Sequence, residues 1–478
     1  MFTHLRIKNF KAWRDTGDIR LAPLTVFFGA NSAGKSSLTQ FLLALKQTVE
    51  SPDRQRVLHS GDGKTVVDLG TFQDMVFRHD TAAPIEFGIA WTTAKPLIVR
   101  DPRSGVSVES NQLGFTSLIR YKDGRLQTEK FDYRLGSEGG QLLRVGLEQK
   151  ENGKSPKYDL TAEPYELVRN KGKPWPLPSP VKFYGFPDEA VAYYQNSGFT
   201  ADLALELERL FGRLYYLGPL RDDPRRSYGW SGEVPDHVGW RGERAIEAIL
   251  AARGRTIMPG YKRKGQPFEA LIARWLLEMK LIQAFEVRPI AENRKDFEVR
   301  VVTAKGGAEV NLTDVGFGIS QVLPVVAACF YPPPHATLIL EQPEIHLHPQ
   351  VQGHLADLFI EAIQAREGGE NRDMQLIVES HSEHFLNRLL LRVADQTISR
   401  EDLAIYFCSP SENGARVEPL RVDLFGNIEN WPPDFFGDDM ADIAARMDAA
   451  MSRQQDNKVA EKANASVSRR YAETKRVE

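Results

Sequence analysis

Cysteine is scarce in this sequence, because 478 residues contain only Cys329 and Cys408, and both stand in apolar runs. Two such thiols exclude a disulfide framework and a zinc site made of cysteines. No apolar run reaches the length that crosses a bilayer, and no signal-peptide hydrophobic segment follows the first residue. We therefore expect a cytoplasmic protein that does not associate with a membrane.

An excess of charge of one sign is also lacking, since Lys and Arg number 61, Asp and Glu number 64, and the formal net charge is −3. A balanced chain has no overall positive field that attracts nucleic acid, although local basic patches are compatible with this balance. The length is sufficient for two or three domains with a sizeable core.

What the sequence does contain is a P-loop pattern at residues 29–36, with Gly, four residues, and then Gly-Lys-Ser. Residues 24–28 predict a buried strand before it, and residues 37–45 predict a helix with an apolar face after it. A glycine-rich turn between a strand and a helix is the context in which this pattern binds nucleotide phosphates. The predicted contact residues are Gly29, Asn31, Ser32, Ala33, Gly34, Lys35, Ser36 and Ser37.

The residue types of this loop match the chemistry of a polyphosphate. Gly29 and Gly34 let the backbone curl so that successive N–H groups point at an anion. The helix that follows adds its positive N-terminal end. Lys35 is expected to reach the β- and γ-phosphates, and the Ser36 hydroxyl is expected to bind Mg²⁺.

A second polar turn precedes an apolar helix at residues 322–330. Gly316, Gly318 and Ser320 lie in this turn, and a glycine-bracketed turn at the start of a helix is another candidate anion site. Alone this signal is weak, but it would add a second phosphate-facing feature to a chain that already has a P-loop.

An apolar strand predicted at residues 337–341 ends in Glu341, and Gln342 and Glu344 follow it. A buried strand that delivers a carboxylate at its end is typical of a Walker B motif. In that motif one carboxylate orders the Mg²⁺ shell, and a neighbouring carboxylate orients the attacking water.

Histidines accompany both of the predicted strands in this region. His346 and His348 stand near Glu344 and allow a metal site, but the strand that ends in an acid accounts better for the segment. His381 follows a second buried strand, predicted at residues 374–379. This position is at the carboxyl end of a strand, where ligands bind in open α/β sheets, and it favours a functional histidine.

The stretch between the P-loop and these motifs has a different pattern. Residues 84–163 alternate polar and apolar side chains and predict an antiparallel sheet, residues 171–180 predict a linker, and residues 203–216 predict a helix. Residues 217–228 then mix arginines with aromatic side chains and aspartates. Two interpretations stay open, which are contact with a nucleic-acid backbone and a loop whose arginines pair with its own acids.

The blocks at residues 30–37, 314–321, 338–349 and 378–382 together resemble ABC-class P-loop ATPases of the SMC-like and OLD-like branch. Within that branch the chain is most similar to predicted bacterial ATPases with a Glu-Gln-Pro-Glu Walker B and an aromatic motif like that at residues 431–436. The resemblance implies an α/β fold, an ABC-type P-loop NTPase head. Its parts would be a mostly parallel core sheet, an antiparallel β insert and a helical lobe.

The resemblance also implies ATP and Mg²⁺ as cofactors and a homodimer that closes around ATP. Gly316, Gly318 and Ser320 match the signature motif, which contacts the γ-phosphate held by the other subunit. His381 matches the switch histidine. Gln73 is a candidate for the lid glutamine that binds the metal.

One departure from the family concerns the catalytic acid. The usual Walker B has an aspartate for Mg²⁺ followed by a glutamate, whereas here Glu341 would serve the metal and Gln342 follows it. Gln342 orients water but cannot accept a proton. Glu344 is then the expected base, and without it hydrolysis is slow and the protein acts as an ATP-clamped switch.

The motifs divide the chain into five parts. Residues 1–80 form the first half of the ATPase head, residues 81–170 the β-rich insert, and residues 171–284 the helical lobe. Residues 285–422 form the second half of the head, and residues 423–478 the C-terminal extension and tail.

We therefore expect an ATP-hydrolysing, nucleotide-gated switch for a partner effector protein such as a nuclease. The resemblance implies a role in prokaryotic defence against phage. An OLD-like nuclease and a DNA-binding repair ATPase are the alternatives, and both keep DNA as a candidate partner. Residues 401–422 lack the acid pattern of such a nuclease. The β-rich insert lacks the heptad arms of an SMC tether, and it argues against a transporter motor.

Replacing Glu344 by Gln tests the assignment of the base. We expect Glu344→Gln to lower ATP turnover by about 10²–10⁴-fold, the usual contribution of a general base, and to accumulate an ATP-bound dimer. Phosphate release and size-exclusion chromatography with ATP measure the two effects. Unchanged hydrolysis in this variant rejects the assignment.

Overall fold

The computed structural model describes residues 1–432, apart from 104, 106, 137–141, 151–156, 173–174 and 261–262. The chain divides into two compact units, Met1–Asn430 and Trp431–Glu478. The P-loop and the other three blocks of motifs all lie in the first unit. Beyond Pro432, the predicted aromatic motif and the tail lie outside the described residues.

The strands are numbered in chain order. They are β1 (Phe2–Phe10), β2 (Trp13–Asp15), β3 (Ile19–Arg20), β4 (Leu24–Gly29), β5 (Ile85–Arg100), β6 (Ser107–Lys122), β7 (Arg125–Leu135), β8 (Leu143–Lys150), β9 (Lys157–Glu163), β10 (Leu214–Leu217), β11 (Tyr228–Gly229), β12 (Thr256–Met258), β13 (Gln266–Pro267), β14 (Ala284–Pro289), β15 (Asp296–Val302), β16 (Val310–Asn311), β17 (Thr337–Glu341), β18 (Arg366–Glu367), β19 (Glu370–Asn371), β20 (Gln375–Glu379), β21 (Leu403–Ser409) and β22 (Arg416–Pro419).

The helices are numbered in the same way. They are α1 (Lys35–Glu50), α2 (Phe72–Met75), α3 (Asp188–Tyr193), α4 (Phe199–Gly212), α5 (Ala245–Ala251), α6 (Phe268–Glu278), α7 (Phe317–Phe330), α8 (Pro349–Gln364) and α9 (Glu383–Ala394), with short 3₁₀ turns at Phe77–His79, Leu312–Asp314 and Arg400–Asp402. Within the described part of the chain, no helix has both the length and the apolar character needed to cross a membrane.

Six strands form the core sheet in the order β10-β17-β20-β4-β21-β22. The neighbours are parallel, except that β22 runs antiparallel to β21. Every residue of β4, β17 and β20 is buried, as is usual for a parallel sheet covered on both faces. The mostly parallel core sheet predicted from the sequence is confirmed.

The second large sheet is antiparallel, in the order β2-β1-β5-β6-β7-β8-β9, with β3 also paired to β1. Alternate residues of β5, including Phe87, are buried, so that one face of the sheet is apolar. Helix α1 packs on this face, because the Phe41 ring lies 5.1 Å from that of Phe87 and 4.9 Å from that of Phe10. The strands predicted as an insert therefore extend a sheet that begins at β1.

The helix predicted over residues 203–216 is divided in the structure. Helix α4 ends at Gly212, and residues 214–217 form β10, the edge strand of the core sheet. β10 pairs in parallel with β17, starting with Leu214 opposite Thr337. A segment of four residues carries too little periodicity to distinguish strand from helix, and here the tertiary pairing decides.

Two small sheets and the helices α5, α6 and α7 form a further part of the described fold. The sheets have the orders β11-β15-β14, with β16 added to β15, and β13-β12-β18-β19. Helix α7 packs against both α5 and α6, and its residues from Ile319 to its end are buried. The sequence predicted a helical lobe over residues 171–284, whereas this group also includes α7 and strands from later parts of the chain.

One buried amide connects the two large sheets. The side chain of Gln375, at the start of β20, accepts from Phe2 N at 3.0 Å and from Thr337 Oγ1 at 3.0 Å. Its amide nitrogen donates to Phe2 O at 2.7 Å and to Ala22 O at 3.1 Å. All hydrogen-bonding positions of a buried amide are thus used, which couples the first strand of the antiparallel sheet to the core sheet.

Replacing Gln375 by Leu, a side chain of similar size, removes these four hydrogen bonds. We expect the free energy of unfolding to fall by at least about 2 kcal/mol, because polar groups of Phe2 and Thr337 lose their partner in a buried position. Urea unfolding followed by circular dichroism measures this change. Gln350→Leu, at an exposed position in the first turn of α8, is the control and should stay within about 0.5 kcal/mol of the natural chain; equal stability of both variants contradicts the role of Gln375.

Candidate nucleotide-binding site

The P-loop lies at the carboxyl end of β4, directly before α1. Gly29 has φ of 139° and approaches β21 so closely that an added Cβ would lie 2.0 Å from the Cys408 carbonyl oxygen. Gly34 has φ of 88° and is the N-cap of α1. These two positions exclude any side chain, which explains why the loop begins and ends with glycine.

Trp13 supports the loop from below, a role that the sequence did not indicate. Its side chain is fully buried, and its indole N–H donates to Ser37 Oγ at 2.8 Å and to Gly34 O at 3.2 Å. The indole ring also lies where a side chain on Gly34 would project. Trp13 therefore fixes the turn that carries the predicted phosphate contacts.

A cleft of about 310 Å³ opens above this loop. The structure brings together most of the predicted P-loop residues there with residues from the ends of two other core strands. The cleft is lined by Lys11, Ala12, Asn31, Ser32, Ala33, Gly34, Lys35, Ser36, Ser37, Gln342, Glu379 and His381.

Lys35 is folded back onto its own loop. Its ammonium group donates to Gly29 O at 3.0 Å and to Ala30 O at 2.9 Å, and it lies 3.9 Å from the Glu379 carboxylate. Burial lowers the pKa of the Lys35 ammonium, and the nearby Glu379 carboxylate opposes this effect. The loop carbonyls thus accept hydrogen bonds from the Lys35 ammonium, and Glu379 lies close enough to offset part of its charge.

Glu379 is the acid that faces the P-loop, and the sequence analysis did not assign it. It is the last residue of β20, and Ser36 Oγ donates to its carboxylate at 2.9 Å. Burial, followed by the neighbouring Glu341 carboxylate, raises the pKa of Glu379 to about 7. Its other oxygen is buried without a hydrogen-bond partner. The sequence did contain a signal for this role, because Glu379 is an acid at the end of the buried strand that precedes His381.

Glu341, predicted for the metal, is turned away from the cleft wall. Its two carboxylate oxygens accept from Thr39 Oγ1 at 2.8 Å and from the Tyr216 hydroxyl at 3.2 Å. It lies directly opposite Glu379 on the neighbouring strand, and burial raises the pKa of Glu341. In this structure the acid that accepts the hydrogen bond of the Ser36 hydroxyl is therefore Glu379 and not Glu341.

Gln342 and Glu344 lie in the turn after β17, beside the cleft. A hydrogen bond connects this turn to His381, which follows β20. Gln342 has φ of 44° and lines the cleft. Glu344 is buried below it and accepts the backbone N–H of His381 at 2.6 Å, while its other oxygen has no partner. Burial raises the pKa of Glu344, whereas burial and the Lys35 charge lower the pKa of His381.

Arg221 is the buried cation on the opposite side of these acids. Its guanidinium donates to the backbone carbonyls of Pro219, Glu341 and Gln342 at 2.8–3.3 Å. Burial lowers the pKa of Arg221 to about 10, and Glu344 is the largest opposing charge. Arg221 belongs to the stretch at residues 217–228, for which contact with nucleic acid was one interpretation. In the structure its guanidinium binds backbone carbonyls of its own chain instead.

The exposed arginines of the same stretch pair with acids of this chain. Arg225 lies 3.4 Å from Asp222, and Arg226 lies 2.7 Å from Asp314. Arg241 also contacts Asp222, at 3.2 Å. These contacts favour the interpretation of a loop that is paired with its own carboxylates.

The other predicted residues lie outside the cleft. Gly316 precedes α7, and Gly318 and Ser320 lie in its first turns, with Gly316 exposed. Gln73 is exposed in α2 and does not line the cleft, although Met75 of the same helix accepts a hydrogen bond from Lys11 N, at the cleft wall. Roles for these four residues require either a second chain or a movement.

The residues of the cleft fit Mg²⁺ bound together with a phosphate. Ser36 supplies a hydroxyl, and Glu379 supplies a buried carboxylate oxygen that lacks a partner. Among the described residues no cluster of three or more His, Cys, Asp or Glu side chains can hold a metal by itself. A cation with only one or two protein ligands and the rest from phosphate and water is the usual arrangement for Mg²⁺.

Glu379→Gln tests whether ionisation of this buried acid destabilises the fold. Because the folded-state pKa of Glu379 is raised to about 7, its ionisation destabilises the fold increasingly from about pH 4.5 to pH 7. We expect the variant to gain stability relative to the natural chain over this range, by up to roughly 3 kcal/mol at pH 8. Thermal unfolding without nucleotide or Mg²⁺ measures this, with exposed Glu418→Gln as control. A difference independent of pH contradicts such a destabilising effect.

Comparison with known families matches two parts of the chain. Residues 194–387 match a family described as "AAA domain, putative AbiEii toxin, Type IV TA system". Residues 398–445 match a family described as a protein of unknown function (DUF3696). No curated protein matches the chain.

Comparison with solved structures finds SMC head domains. The head from Thermotoga maritima is 11% identical, with a TM-score of 0.37, and the match covers 88% of this chain and 99% of that chain. An SMC head bound to the C-terminal winged-helix domain of ScpA is 13% identical, with a TM-score of 0.40 and coverage of 88% and 98%. A head with an extended coiled coil, bound to a ScpA domain from Pyrococcus furiosus, is 11% identical, with a TM-score of 0.40 and coverage of 88% and 96%.

These structural matches are distant, and no function is transferred from them. The AAA-domain match covers residues 194–387 and does not include the P-loop at residues 29–36. The core sheet, with the P-loop at the end of β4, has an α/β P-loop fold.

Proposed function

We propose that this protein binds ATP with Mg²⁺ in the cleft above the P-loop and hydrolyses it as an ABC-class ATPase. The observation that carries the proposal is the arrangement of Lys35, Ser36 and Glu379 at the carboxyl edge of a parallel sheet. In such a sheet this edge is where ligands bind. The loop offers backbone N–H groups and a helix N-terminus to an anion.

Nucleotide binding would replace contacts that the residues of the cleft make with one another. Lys35 would leave the Gly29 and Ala30 carbonyls, which hold it in the free protein, and contact the phosphates instead. Ser36 and Glu379 would hold Mg²⁺, which supplies charge neutralisation at the phosphate oxygens. A cation beside Glu379 also removes the electrostatic cost of ionising this buried acid.

Three residues beside the cleft would act on the attacking water and on the γ-phosphate. Gln342 lies at the wall and would orient the attacking water. Glu344 has an oxygen without a partner and a raised pKa, which suits a base, and its other oxygen positions the segment of His381. His381 has a lowered pKa, so its neutral ring would donate a hydrogen bond to the γ-phosphate.

The second half of each site would come from another copy of the chain. Gly316 and Phe317 are exposed at the start of α7, with Phe317 49% exposed, and they do not line the cleft of their own chain. A helix N-terminus without a partner is suited to a γ-phosphate presented by a second protomer. Two such sites related by a two-fold axis form a closed homodimer.

We further propose that ATP-dependent closing of this dimer controls a partner effector protein, such as a nuclease, in prokaryotic defence. Hydrolysis that depends on Gln342 and a buried acid would keep the dimer closed for long periods. A long-lived closed state is a useful property of a switch, because the signal then lasts as long as the nucleotide. Copurification with and without ATP is the direct search for the effector.

Mixing two inactive variants tests the shared sites. Lys35→Ala removes the phosphate contact, and Gly318→Glu places a negative charge at the start of α7, where an added side chain meets no other atom within 4 Å. Each variant alone should lose ATP hydrolysis by at least about tenfold, since charged contacts contribute about 1.5–3 kcal/mol. A one-to-one mixture should recover about a quarter of natural turnover, because half of the dimers then contain one intact site.

The measurement is steady-state phosphate release, with Lys64→Ala, at an exposed position, as the control that keeps full activity. Nucleotide binding by Gly318→Glu but not by Lys35→Ala separates the two defects. If the mixture is no more active than its components, each chain hydrolyses ATP alone and the shared site is wrong.

A further inference from the structure

One row of residues crosses the outer face of the antiparallel sheet from β1 to β8. The register places in this row His4, Ala90, Gly114, Arg134 and Arg144, each opposite the next. His4, Arg134 and Arg144 are exposed. The row therefore has basic side chains at both ends and small residues in the middle.

Arg134 and Arg144 face one another directly on neighbouring strands. Like charges in this position destabilise a sheet, yet among the described residues no carboxylate forms an ion pair with either guanidinium. Glu163, the other cross-strand neighbour of Arg144, forms none with it. Basic side chains elsewhere on this face do pair, namely Arg6 with Asp15, Lys8 with Glu86 and Lys130 with Glu148.

A cavity of about 570 Å³ lies over this row. Gly114 forms part of its floor, and a Cβ added there would make only ordinary contacts of 3.7–3.9 Å with Arg134 and Ile89. The glycine is thus not required by the backbone, and its effect is to leave space.

We propose that this cavity binds a small dianion, either a phosphate monoester or a dicarboxylate, between Arg134 and Arg144. An anion placed there turns the repulsion of two guanidiniums into two attractions, and the planar guanidinium suits both oxyanions. The volume is that of a site for a small molecule of up to nucleotide size. The acid nearest along β7, Asp132, is 3.7 Å from Lys130, and the charges of Lys130, Arg134 and Arg144 all act on its carboxylate. Asp18 in the cavity wall is 3.7 Å from His4.

This site is separate from the cleft of the P-loop, since the two share no lining residue. The proposal does not rest on ATP hydrolysis. It assigns the outer face of the antiparallel sheet a ligand of its own, through which a small metabolite can act on the protein.

Calorimetric titration of the full chain carrying Lys35→Ala tests the site without interference from the P-loop. The probes are AMP for the phosphate monoester, succinate for the dicarboxylate and a single-stranded decanucleotide, all in EDTA. We expect AMP or succinate to bind with one site per chain. Arg134→Gln and Arg144→Gln should each weaken this binding at least about tenfold, the effect of losing one charged contact.

The matched control is Arg125→Gln, which removes an exposed arginine of the same strand outside the cavity and should leave binding unchanged. Gly114→Val fills the floor without altering charge and should abolish binding while the chain stays folded. Without ligand, Arg134→Gln should unfold at the same or a higher temperature, because it relieves a repulsion. Equal loss in Arg125→Gln, binding of the decanucleotide alone, or no binding of AMP or succinate overturns the proposal.

Discussion

The structure around the P-loop depends on the burial of charged groups that compensate one another only in part. Glu341, Glu344 and Glu379 are all buried at the carboxyl edge of the core sheet, and Lys35 and Arg221 are the buried cations beside them. Burial disfavours the charged form of each carboxyl group, and the acids repel one another where β17 and β20 lie side by side. Protonation of Glu379, whose pKa is raised to about 7, relieves part of this repulsion, and a divalent cation bound with ATP, as proposed, would relieve it as well.

This constraint explains several features that are otherwise unrelated. Lys35 is held in place by the loop carbonyls and by Glu379. Arg221 uses its donors on carbonyls at the end of β17 and brings positive charge beneath the turn of Gln342. The parallel register of β4, β20 and β17 places all of these groups at one edge. This grouping of charges supports the proposed binding of phosphates together with a metal ion.

The sheets contribute to function through different faces. The apolar face of the antiparallel sheet packs on α1 and holds the helix that carries the P-loop. Its outer face presents the pair of arginines and the cavity above them, where an anion is proposed to bind. Because β5 pairs with β1 along most of its apolar half, and because Gln375 joins β1 to the core sheet, the proposed ligand on the outer face would bind to a sheet that is hydrogen-bonded to the core sheet.

The sequence by itself determined the P-loop, the buried strands and the polar residues that end them, because glycine spacing, apolar runs and terminal acids are local properties of a chain. It therefore predicted the parallel core sheet, and it predicted Lys35, Ser36, Gln342 and His381 as parts of one site; in the structure these four residues line one cleft. Only the tertiary structure decided which acid faces Ser36, since Glu341 and Glu379 both end buried strands, and their surroundings distinguish them. Thr39 and Tyr216 hold Glu341 away from the cleft, while Ser36 holds Glu379 in it. Tertiary pairing likewise made residues 214–217 a strand and placed Arg134 opposite Arg144. The sequence could not predict these pairings, because local periodicity does not determine the register between separate segments.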